Sequence, residues 1–201
     1  MGGVLLLKAF TIFLFTIMGW KLKGKISPDI TKCILIAAPH TSNLDFLLAM
    51  AGFYKMKLPV KYLIKKEWID FGPLRRVFRN SGALGVDRSK NSTMVDNLAK
   101  LIISSKGNMA IMISPEGTRK LVNRWKTGFY YAALNAQVPI VLTYLDYRTK
   151  TAGIGPSFMP SGCFRKDMIM VRNFYKDITA KYPENFSLEI YYPDTDALCA
   201  G

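Results

Sequence analysis

His40 and Asp45 are the residues of this sequence whose types and spacing best suit acid–base chemistry. A carboxylate beside an imidazole orients the ring, fixes its tautomer and stabilises the imidazolium that forms when the ring takes a proton. A single histidine near a strand end is more often a satisfied polar residue than a catalyst. His40, however, is the only histidine among 201 residues, so any imidazole chemistry has to use it. The pair predicts a general base.

The local sequence predicts how this pair is positioned. The apolar residues 33–38 are typical of a short buried strand, and residues 44–54 are typical of a helix. Ser42 is the expected N-cap, because Ser42-x-x-Asp45 matches the spacing of a capping box. Asp45 would then lie in the first helical turn, where the helix dipole favours its ionised form. A sharp turn between two rigid elements is where α/β proteins place reactive groups.

Three later segments carry distinctive residues at predicted strand boundaries. Gly-Val-Asp-Arg at 85–88 closes the third predicted strand, and Ser-Pro-Glu-Gly-Thr-Arg at 114–119 closes the fourth. Val-Pro-Ile-Val at 138–141 opens the fifth. Taken singly, these segments have ordinary explanations as a surface ion pair, a turn and a buried strand. Because ligands of open α/β sheets bind outside the carboxyl ends of the strands, the first two segments and the His40 turn should share one crevice.

Strand and helix patterns alternate from residue 31 onward. Predicted strands are residues 34–38, 60–64, 83–86, 109–113, 140–145 and 188–192. Predicted helices are residues 44–54, 72–79, 93–105, 127–136 and 166–182. Such alternation predicts an α/β fold with a largely parallel or mixed central sheet flanked by helices. We expect a single α/β domain at residues 26–201, preceded by an apolar helix and its basic flank at residues 1–25.

The N-terminal residues 4–20 are apolar almost all round, so a helix here has no polar face to give to water. Twelve residues lie uninterrupted between Lys8 and Lys21, and they would make a helix of roughly 18 Å, which is short for a hydrocarbon layer of about 30 Å. We expect a helix that dips into one leaflet, with Trp20 at the interface and the lysines that follow it on the headgroups. A core helix packed on its own domain is the alternative.

The composition narrows the set of partners. Lys and Arg number 28 against 14 Asp and Glu, a net charge of +14, which favours polyanions such as nucleic acid, anionic lipid headgroups or phosphorylated substrates. No recognisable nucleic-acid-binding module is present, so a nucleic-acid partner is not expected. The three cysteines, Cys33, Cys163 and Cys199, are widely spaced, which predicts neither a disulfide framework nor a zinc site and fits a reducing cytosol.

The blocks, taken in order, resemble the glycerophospholipid acyltransferases, the family typified by 1-acyl-sn-glycerol-3-phosphate acyltransferase. His-x4-Asp at 40–45 and Pro-Glu-Gly-Thr-Arg at 115–119 match two blocks of that family, and Val-Pro-Ile at 138–140 matches a third. Residues 85–88 and Trp-Lys-Thr-Gly at 125–128 are similar to two further pieces. Three residues depart from the family pattern and leave the acyl acceptor open: Ser114, Lys120 and Thr143.

The resemblance implies an O-acyltransferase that moves a fatty acyl group from acyl-CoA or acyl carrier protein to the free hydroxyl of a lysophospholipid. The expected acceptor is 1-acyl-sn-glycerol-3-phosphate. Another lysolipid such as a lyso-ornithine lipid, or a basic lipid-binding module without catalysis, remains an alternative. No metal or cofactor is expected beyond the acyl donor. The expected location is the cytoplasmic face of the cell membrane, as a peripheral or monotopic protein on an anionic surface.

The resemblance also assigns roles to individual residues. His40 is the general base and Asp45 orients it. The cations at 88, 119 and 126 would bind the acceptor phosphate, since Arg engages phosphate bidentately and Lys acts as a point charge. Glu116 would contact an acceptor hydroxyl or orient an arginine. The full set of expected substrate-binding residues is Arg88, Glu116, Gly117, Thr118, Arg119 and Lys126.

Overall fold

The computed structural model of the chain describes residues 2–65, 67, 69, 75–86 and 91–189. Its strands are β1 (Lys21–Lys23), β2 (Lys32–Ala37), β3 (Val60–Lys65), β4 (Ala83–Val86), β5 (Met109–Ile113), β6 (Ile140–Asp146) and β7 (Thr151–Phe158). Its helices are α1 (Gly2–Ile17), α2 (Asn43–Lys55), α3 (Arg75–Asn80), α4 (Asn91–Ser104), α5 (Gly128–Ala136) and α6 (Phe164–Tyr175). A 3-10 turn spans Pro183–Asn185.

The strands of the described residues form one seven-stranded sheet in the order β1-β7-β6-β2-β5-β3-β4. β6 and β7 are antiparallel, and the other neighbouring pairs are parallel. β2 lies inside the sheet, where Ile34 pairs with Ile111 of β5 and with Ile140 of β6. This mixed sheet with its flanking helices confirms the α/β fold predicted from the alternating pattern.

The alternating side chains of β2 divide the core into two layers. Ile34 and Ile36 face the layer that contains α4, α5 and α6. Cys33 and Leu35 face the opposite layer, which contains α2. Because both faces of the strand are covered, its sequence is continuously apolar rather than alternating, as is usual for inner parallel strands. This packing on both faces positions the carboxyl end of β2, from which the His40 turn begins.

Two strands, β1 and β7, are missing from the sequence-based prediction. β7 contains Gly153, Gly155 and Pro156, residue types that are depleted in strands. The glycines are needed because a Cβ at Gly153 would collide with the ring of Tyr144, and one at Gly155 would collide with the ring of Phe174. β1 is only three residues long, and it pairs with β7 at the edge of the sheet.

The helix predicted at residues 166–182 is too long, because it ends at Tyr175. Beyond this point the backbone bonds to the end of β6 instead. The N–H of Thr179 donates to Asp146 Oδ1 at 3.3 Å, and the N–H of Tyr147 donates to the carbonyl of Thr179 at 2.9 Å. These tertiary hydrogen bonds override the helical spacing of the sequence.

Two other predictions lie partly outside the described residues. The helix predicted at residues 72–79 is described as α3 from Arg75 onward. Of the strand predicted at residues 188–192, only Leu188 and Glu189 are described, and neither belongs to a strand. The cysteines also differ from expectation, because Cys33 is free and buried whereas Cys163 is disulfide-bonded.

Helix α1 has one face on the domain and one face exposed. Thr11 and Phe15 are buried against the domain, where α1 packs on α2. The opposite face exposes large apolar side chains at 56–72% of their area: Leu5, Leu6, Phe10, Phe13 and Ile17. Within the described residues, none of the helices combines the length and the apolar character that crossing a bilayer requires.

Trp20 does not lie where the sequence analysis places it. The prediction of an interfacial tryptophan is wrong, because Trp20 is only 6% exposed and packs between Phe15 and Tyr147. Packing against these two rings buries the indole instead of leaving it at the surface. Lys8 lies over the ring of Tyr54 with its Nζ 5.8 Å from the ring centroid, so α2 contacts this charge of α1.

Candidate active site

The turn between β2 and α2 brings His40 and Asp45 together. His40 Nδ1 lies 3.4 Å from Asp45 Oδ2. The imidazole is partly exposed at 22%, whereas the carboxylate is buried. The nitrogen that faces the carboxylate is therefore Nδ1, and Nε2 is the nitrogen left for a ligand.

The start of α2 fixes the Asp45 side chain as the sequence predicts. Ser42 is the N-cap, and the two reciprocal bonds of a capping box are present. Asp45 Oδ2 accepts the backbone N–H groups of Thr41 at 2.8 Å and Ser42 at 2.7 Å. The Ser42 hydroxyl oxygen also accepts the N–H of Leu44 at 3.2 Å. Asp45 Oδ2 thus both caps the start of α2 and faces His40 Nδ1.

Asp45 remains ionised despite its burial. Burial alone would raise its pKa, but hydrogen bonds with His40, Tyr147 and the Ser42 amide, together with the charge of His40, hold the pKa of Asp45 below its usual range. A buried carboxylate that keeps its charge stabilises an adjacent imidazolium. The site therefore contains the arrangement in which a buried, ionised carboxylate can orient an imidazole.

Tyr147 is a residue of this site that the sequence analysis misses. Its hydroxyl donates a hydrogen bond to Asp45 Oδ1, the oxygen that does not face His40. Tyr147 directly follows β6, which runs parallel to β2, so both strands end at the same edge of the sheet. The sequence could have indicated Tyr147, because it is a polar residue just past the fifth predicted strand. The other site residues were found in the same way, by their position after a predicted strand.

Glu116 lies beneath the His40 turn and is 3% exposed. Its Oε1 accepts the backbone N–H of His40 at 3.1 Å, and its Oε2 accepts the hydroxyl of Ser114 at 2.9 Å. Burial raises the pKa of Glu116 to about 7, although both of these hydrogen bonds act in the opposite direction. Both carboxylate oxygens therefore have protein donors, and the residue joins the β5 turn to the β2 turn.

Two of the three cations predicted to bind phosphate lie in the same crevice as His40. Arg119 and Lys126 both line the cavity and are exposed, and Thr118 lies beside Arg119. The N–H of Lys126 donates to the carbonyl of Pro115 at 2.8 Å, which joins the two segments. Arg88 lies outside the described residues.

Gly117 supports the side chain of Lys126. Its φ is +67°, a left-handed conformation that favours glycine. A Cβ at this position would lie 2.9 Å from Lys126 Cε and 3.0 Å from its Nζ. The bare backbone of Gly117 thus allows the lysine stem to lie across the turn, which narrows the directions that the ammonium group can take.

A cavity of about 860 Å³ opens beside these groups. Its polar lining includes His40, Asp45, Arg119 and Lys126. Most of the remaining lining is apolar and comes from α2 and the neighbouring strands, for example Phe46, Ala49, Phe53, Met56, Tyr62 and Met112. An apolar cavity of this size with a few convergent polar groups is typical of a site for a small amphipathic ligand.

A doubly covered mixed sheet with a His–Asp pair at its carboxyl edge and two cations on an apolar cavity defines an acyltransferase-type site. The model of the Acyltransferase family matches residues 23–144, and the chain belongs to this family. The resemblance inferred from the sequence blocks is thereby confirmed.

Three curated relatives carry related names. The chain is 31% identical over 115 residues to the probable 1-acyl-sn-glycerol-3-phosphate acyltransferase of Mycoplasma pneumoniae, covering 55% of this chain and 43% of the relative. The human 1-acyl-sn-glycerol-3-phosphate acyltransferase beta is 30% identical over 115 residues, with coverages of 54% and 39%. The enzyme of that name from Cocos nucifera is 28% identical over 129 residues, with coverages of 59% and 40%. The chain thus matches about two fifths of the length of these relatives.

A solved structure shares the fold. The 1-acyl-sn-glycerophosphate (LPA) acyltransferase PlsC from Thermotoga maritima superposes with a TM-score of 0.55 at 18% identity, covering 84% of this chain and 76% of that one. At this identity the likeness supports the architecture of the sheet and helices.

Proposed function

We propose that the chain transfers a fatty acyl group from a thioester, acyl-CoA or acyl carrier protein, to the free hydroxyl of a lysophospholipid, with 1-acyl-sn-glycerol-3-phosphate as the acceptor. One observation carries the proposal: His40 Nδ1 lies 3.4 Å from a buried, ionised carboxylate, on the wall of a cavity that Arg119 and Lys126 also line. A base, phosphate-binding cations and an apolar volume are the three features that this reaction needs.

In the proposed reaction His40 Nε2 takes the proton of the acceptor hydroxyl as its oxygen attacks the thioester carbonyl. The new carbon–oxygen bond forms, the carbon–sulfur bond breaks, and the imidazolium returns its proton to the departing thiolate. Asp45 stabilises the imidazolium between these steps. Positioned proton transfer of this kind contributes roughly 10²- to 10⁴-fold to the rate. The thiolate is a good leaving group, so the acyl group passes directly from donor to acceptor.

Arg119 and Lys126 would bind the acceptor phosphate. A guanidinium can engage two phosphate oxygens at once, and the ammonium group adds a second positive charge. Thr118 can add a hydroxyl at the same rim, and Arg88 remains a predicted member of this group. Binding the phosphate at the rim holds the free hydroxyl near His40, and such positioning supplies several kcal/mol of the barrier reduction.

Glu116 is proposed to position the His40 turn, in place of the expected contact with an acceptor hydroxyl or an arginine. Its two oxygens accept bonds from the His40 amide and the Ser114 hydroxyl, and its side chain is almost fully buried. Glu116 therefore supports the backbone on which the base is carried.

The apolar part of the cavity would hold an acyl chain. Each methylene removed from water contributes about 0.8 kcal/mol, so a buried chain supplies much of the binding energy. The polar rim and the apolar interior match the two ends of an acylated phospholipid.

The exposed face of α1 would lie on the membrane that contains the acceptor and the product. Its apolar side chains are followed by Lys21, Lys23 and Lys25, all exposed. Each lysine near an anionic surface contributes about 1 kcal/mol of attraction. We place the protein on the cytoplasmic face of the cell membrane, bound from one side.

The test is thiol release by the detergent-solubilised protein with acyl-CoA and a panel of lysolipids, with His40→Ala as the comparison. Release should depend on 1-acyl-sn-glycerol-3-phosphate and fall by roughly 10²-fold or more in the variant. If thiol is released only with a lyso-ornithine lipid, that lipid is the acceptor instead of 1-acyl-sn-glycerol-3-phosphate. Lipid binding without thiol release from acyl-CoA or acyl carrier protein would indicate a non-catalytic lipid-binding module. Equal rates for the parent protein and His40→Ala would remove His40 from the mechanism.

A further inference from the structure

The two oxygens of the Asp45 carboxylate have different partners. Oδ2 faces His40 and accepts the N–H groups of Thr41 and Ser42. Oδ1 accepts the hydroxyl of Tyr147. Because Asp45 is only 3% exposed, water has little access to replace a lost donor. The Tyr147 hydroxyl therefore opposes rotation of the carboxylate about its Cβ–Cγ bond, and that rotation would carry Oδ2 away from the imidazole.

The Tyr147 ring is itself held by Trp20. The two rings meet edge to face, with centroids 4.9 Å apart and planes at 87°. The indole Nε1 has no hydrogen-bond partner among the described residues, so Trp20 acts here by its shape. The backbone N–H of Tyr147 is fixed separately, by the carbonyl of Thr179. Among the residues that the structure describes, the ring thus has one aromatic neighbour, and this neighbour comes from the segment just after α1.

From these contacts we infer that Tyr147 is a positioning residue for the His40–Asp45 pair and that Trp20 holds the Tyr147 ring in that position. The inference rests on the proposed function only where it treats His40 as the base. The segment that follows the helix with the exposed apolar face therefore packs against a residue that supports the Asp45 carboxylate. Correct docking of the N-terminal segment is part of the active-site geometry.

The chain has one histidine, so every imidazole nitrogen signal in an NMR spectrum belongs to His40. Protein labelled with ¹⁵N-histidine gives long-range ¹H–¹⁵N spectra that distinguish the Nδ1–H tautomer from the Nε2–H tautomer. At a pH where the ring is neutral, we expect the Nδ1–H tautomer in the parent protein, because Nδ1 faces Asp45. In Tyr147→Phe the same ring should show a mixture of both tautomers.

Tyr54→Phe is the matched control. It removes a tyrosine hydroxyl that has no hydrogen-bond partner in the described part of the chain, from the helix that packs on α1. This control should retain the parent tautomer. Trp20→Ala should shift the tautomer in the same direction as Tyr147→Phe, and the double variant should add nothing further if both act through one ring. If Trp20→Ala fails to fold, Trp20→Phe replaces it in the experiment and should give a smaller change in the tautomer populations.

Kinetics separate positioning from general damage. Tyr147→Phe should lower kcat for thiol release by about tenfold, a part of the roughly 10²- to 10⁴-fold that positioned proton transfer supplies, and leave KM for the acceptor unchanged. An unchanged tautomer in Tyr147→Phe would overturn the inference. A parent tautomer in a folded Trp20 variant would remove Trp20 from it. Full activity of His40→Ala would instead overturn the role of His40 in the proposed function, and it would leave the spectroscopic result standing.

Discussion

The backbone N–H of His40 donates a hydrogen bond to the buried carboxylate of Glu116 at 3.1 Å. Glu116 belongs to the turn after β5, and His40 belongs to the turn after β2, the neighbouring strand. The bond therefore fixes the relative position of two loops at the edge of the sheet. Glu116 thus positions His40 by accepting its backbone N–H, whereas Asp45 contacts the imidazole side chain directly.

The first prediction follows from the raised pKa of Glu116. Its pKa rises from 4.5 to about 7 on folding, so the folded protein holds this proton more tightly than the unfolded chain. The stabilisation is fully present below pH 4.5 and is lost as the pH rises through about 7. Because each unit of pKa shift corresponds to about 1.4 kcal/mol, the loss is about 3 kcal/mol.

Glu116→Gln should remove this pH dependence, because the amide stays neutral at every pH. Denaturant unfolding of both proteins across this pH range checks the prediction, since the other titrating groups are common to the two and cancel in the difference. The parent should lose about 3 kcal/mol more than the variant between pH 4.5 and about pH 8. Parallel stability curves would show that Glu116 titrates near its ordinary pKa.

The second prediction concerns the lysine stem that lies over Gly117. Gly117→Ala forces a left-handed φ on an alanine and brings its Cβ to 2.9 Å from Lys126 Cε. The lysine has to move, so KM for a phosphate-bearing acceptor should rise by roughly 10-fold, the loss expected for one charged hydrogen bond. Steady-state thiol release over a range of acceptor concentrations measures this effect.

Gly107→Ala is the control for backbone strain. Gly107 also has a positive φ, +83°, but a Cβ there would meet nothing within 4 Å. Both variants should lose similar stability, because both impose a left-handed conformation on alanine. Only Gly117→Ala should change KM. Equal effects of the two substitutions on KM would mean that strain, rather than the position of Lys126, is responsible.

The sequence predicts the local parts of this site well and the tertiary parts poorly. The strand, the capping box and the His40–Asp45 pair depend on neighbours within a few residues, and the structure contains all three. Tyr147 lies 102 positions from Asp45, and their contact depends on the placement of β6 beside β2. No local pattern specifies that order of strands.

The role of Glu116 shows the same limit. The family blocks indicate that this residue belongs to the site, but its partner is a backbone amide 76 positions away. Only the pairing of β5 with β2 reveals that contact. Strand β7 was not predicted for a similar reason. Its glycines leave room for the rings of Tyr144 and Phe174, a tertiary requirement that strand propensity does not reflect.

The third prediction tests whether Arg119 binds a phosphate. Arg119→Ala should raise KM for 1-acyl-sn-glycerol-3-phosphate by roughly 10- to 100-fold, because a charged hydrogen bond contributes about 1.5–3 kcal/mol. KM for a lysolipid without a phosphate should stay the same. The exposed neighbour Lys120 provides the control, and Lys120→Ala should change neither value. A similar rise with both kinds of acceptor would indicate that Arg119 shapes the cavity instead of binding the phosphate.

The last prediction concerns the exposed face of α1. Deleting residues 1–20 is a poor test of membrane binding, because Phe15 and Trp20 are buried in the domain and their loss would damage the fold. Phe10→Ser with Phe13→Ser changes only the exposed face, where the two side chains are 56% and 61% accessible. Burying one such side chain contributes about 1.5–3 kcal/mol, so partitioning onto anionic vesicles should fall at least about tenfold in a flotation assay.

The matched control replaces two apolar residues that are equally exposed elsewhere. Ile103 and Met159 are 59% and 55% accessible, and their double replacement by Ser should leave flotation unchanged. Activity on acceptor in detergent micelles should survive both double variants, because neither touches the cavity. Activity on acceptor in vesicles should follow flotation. If the α1 variant still floats with anionic vesicles while the control does not, the membrane-binding surface lies on another side of the protein.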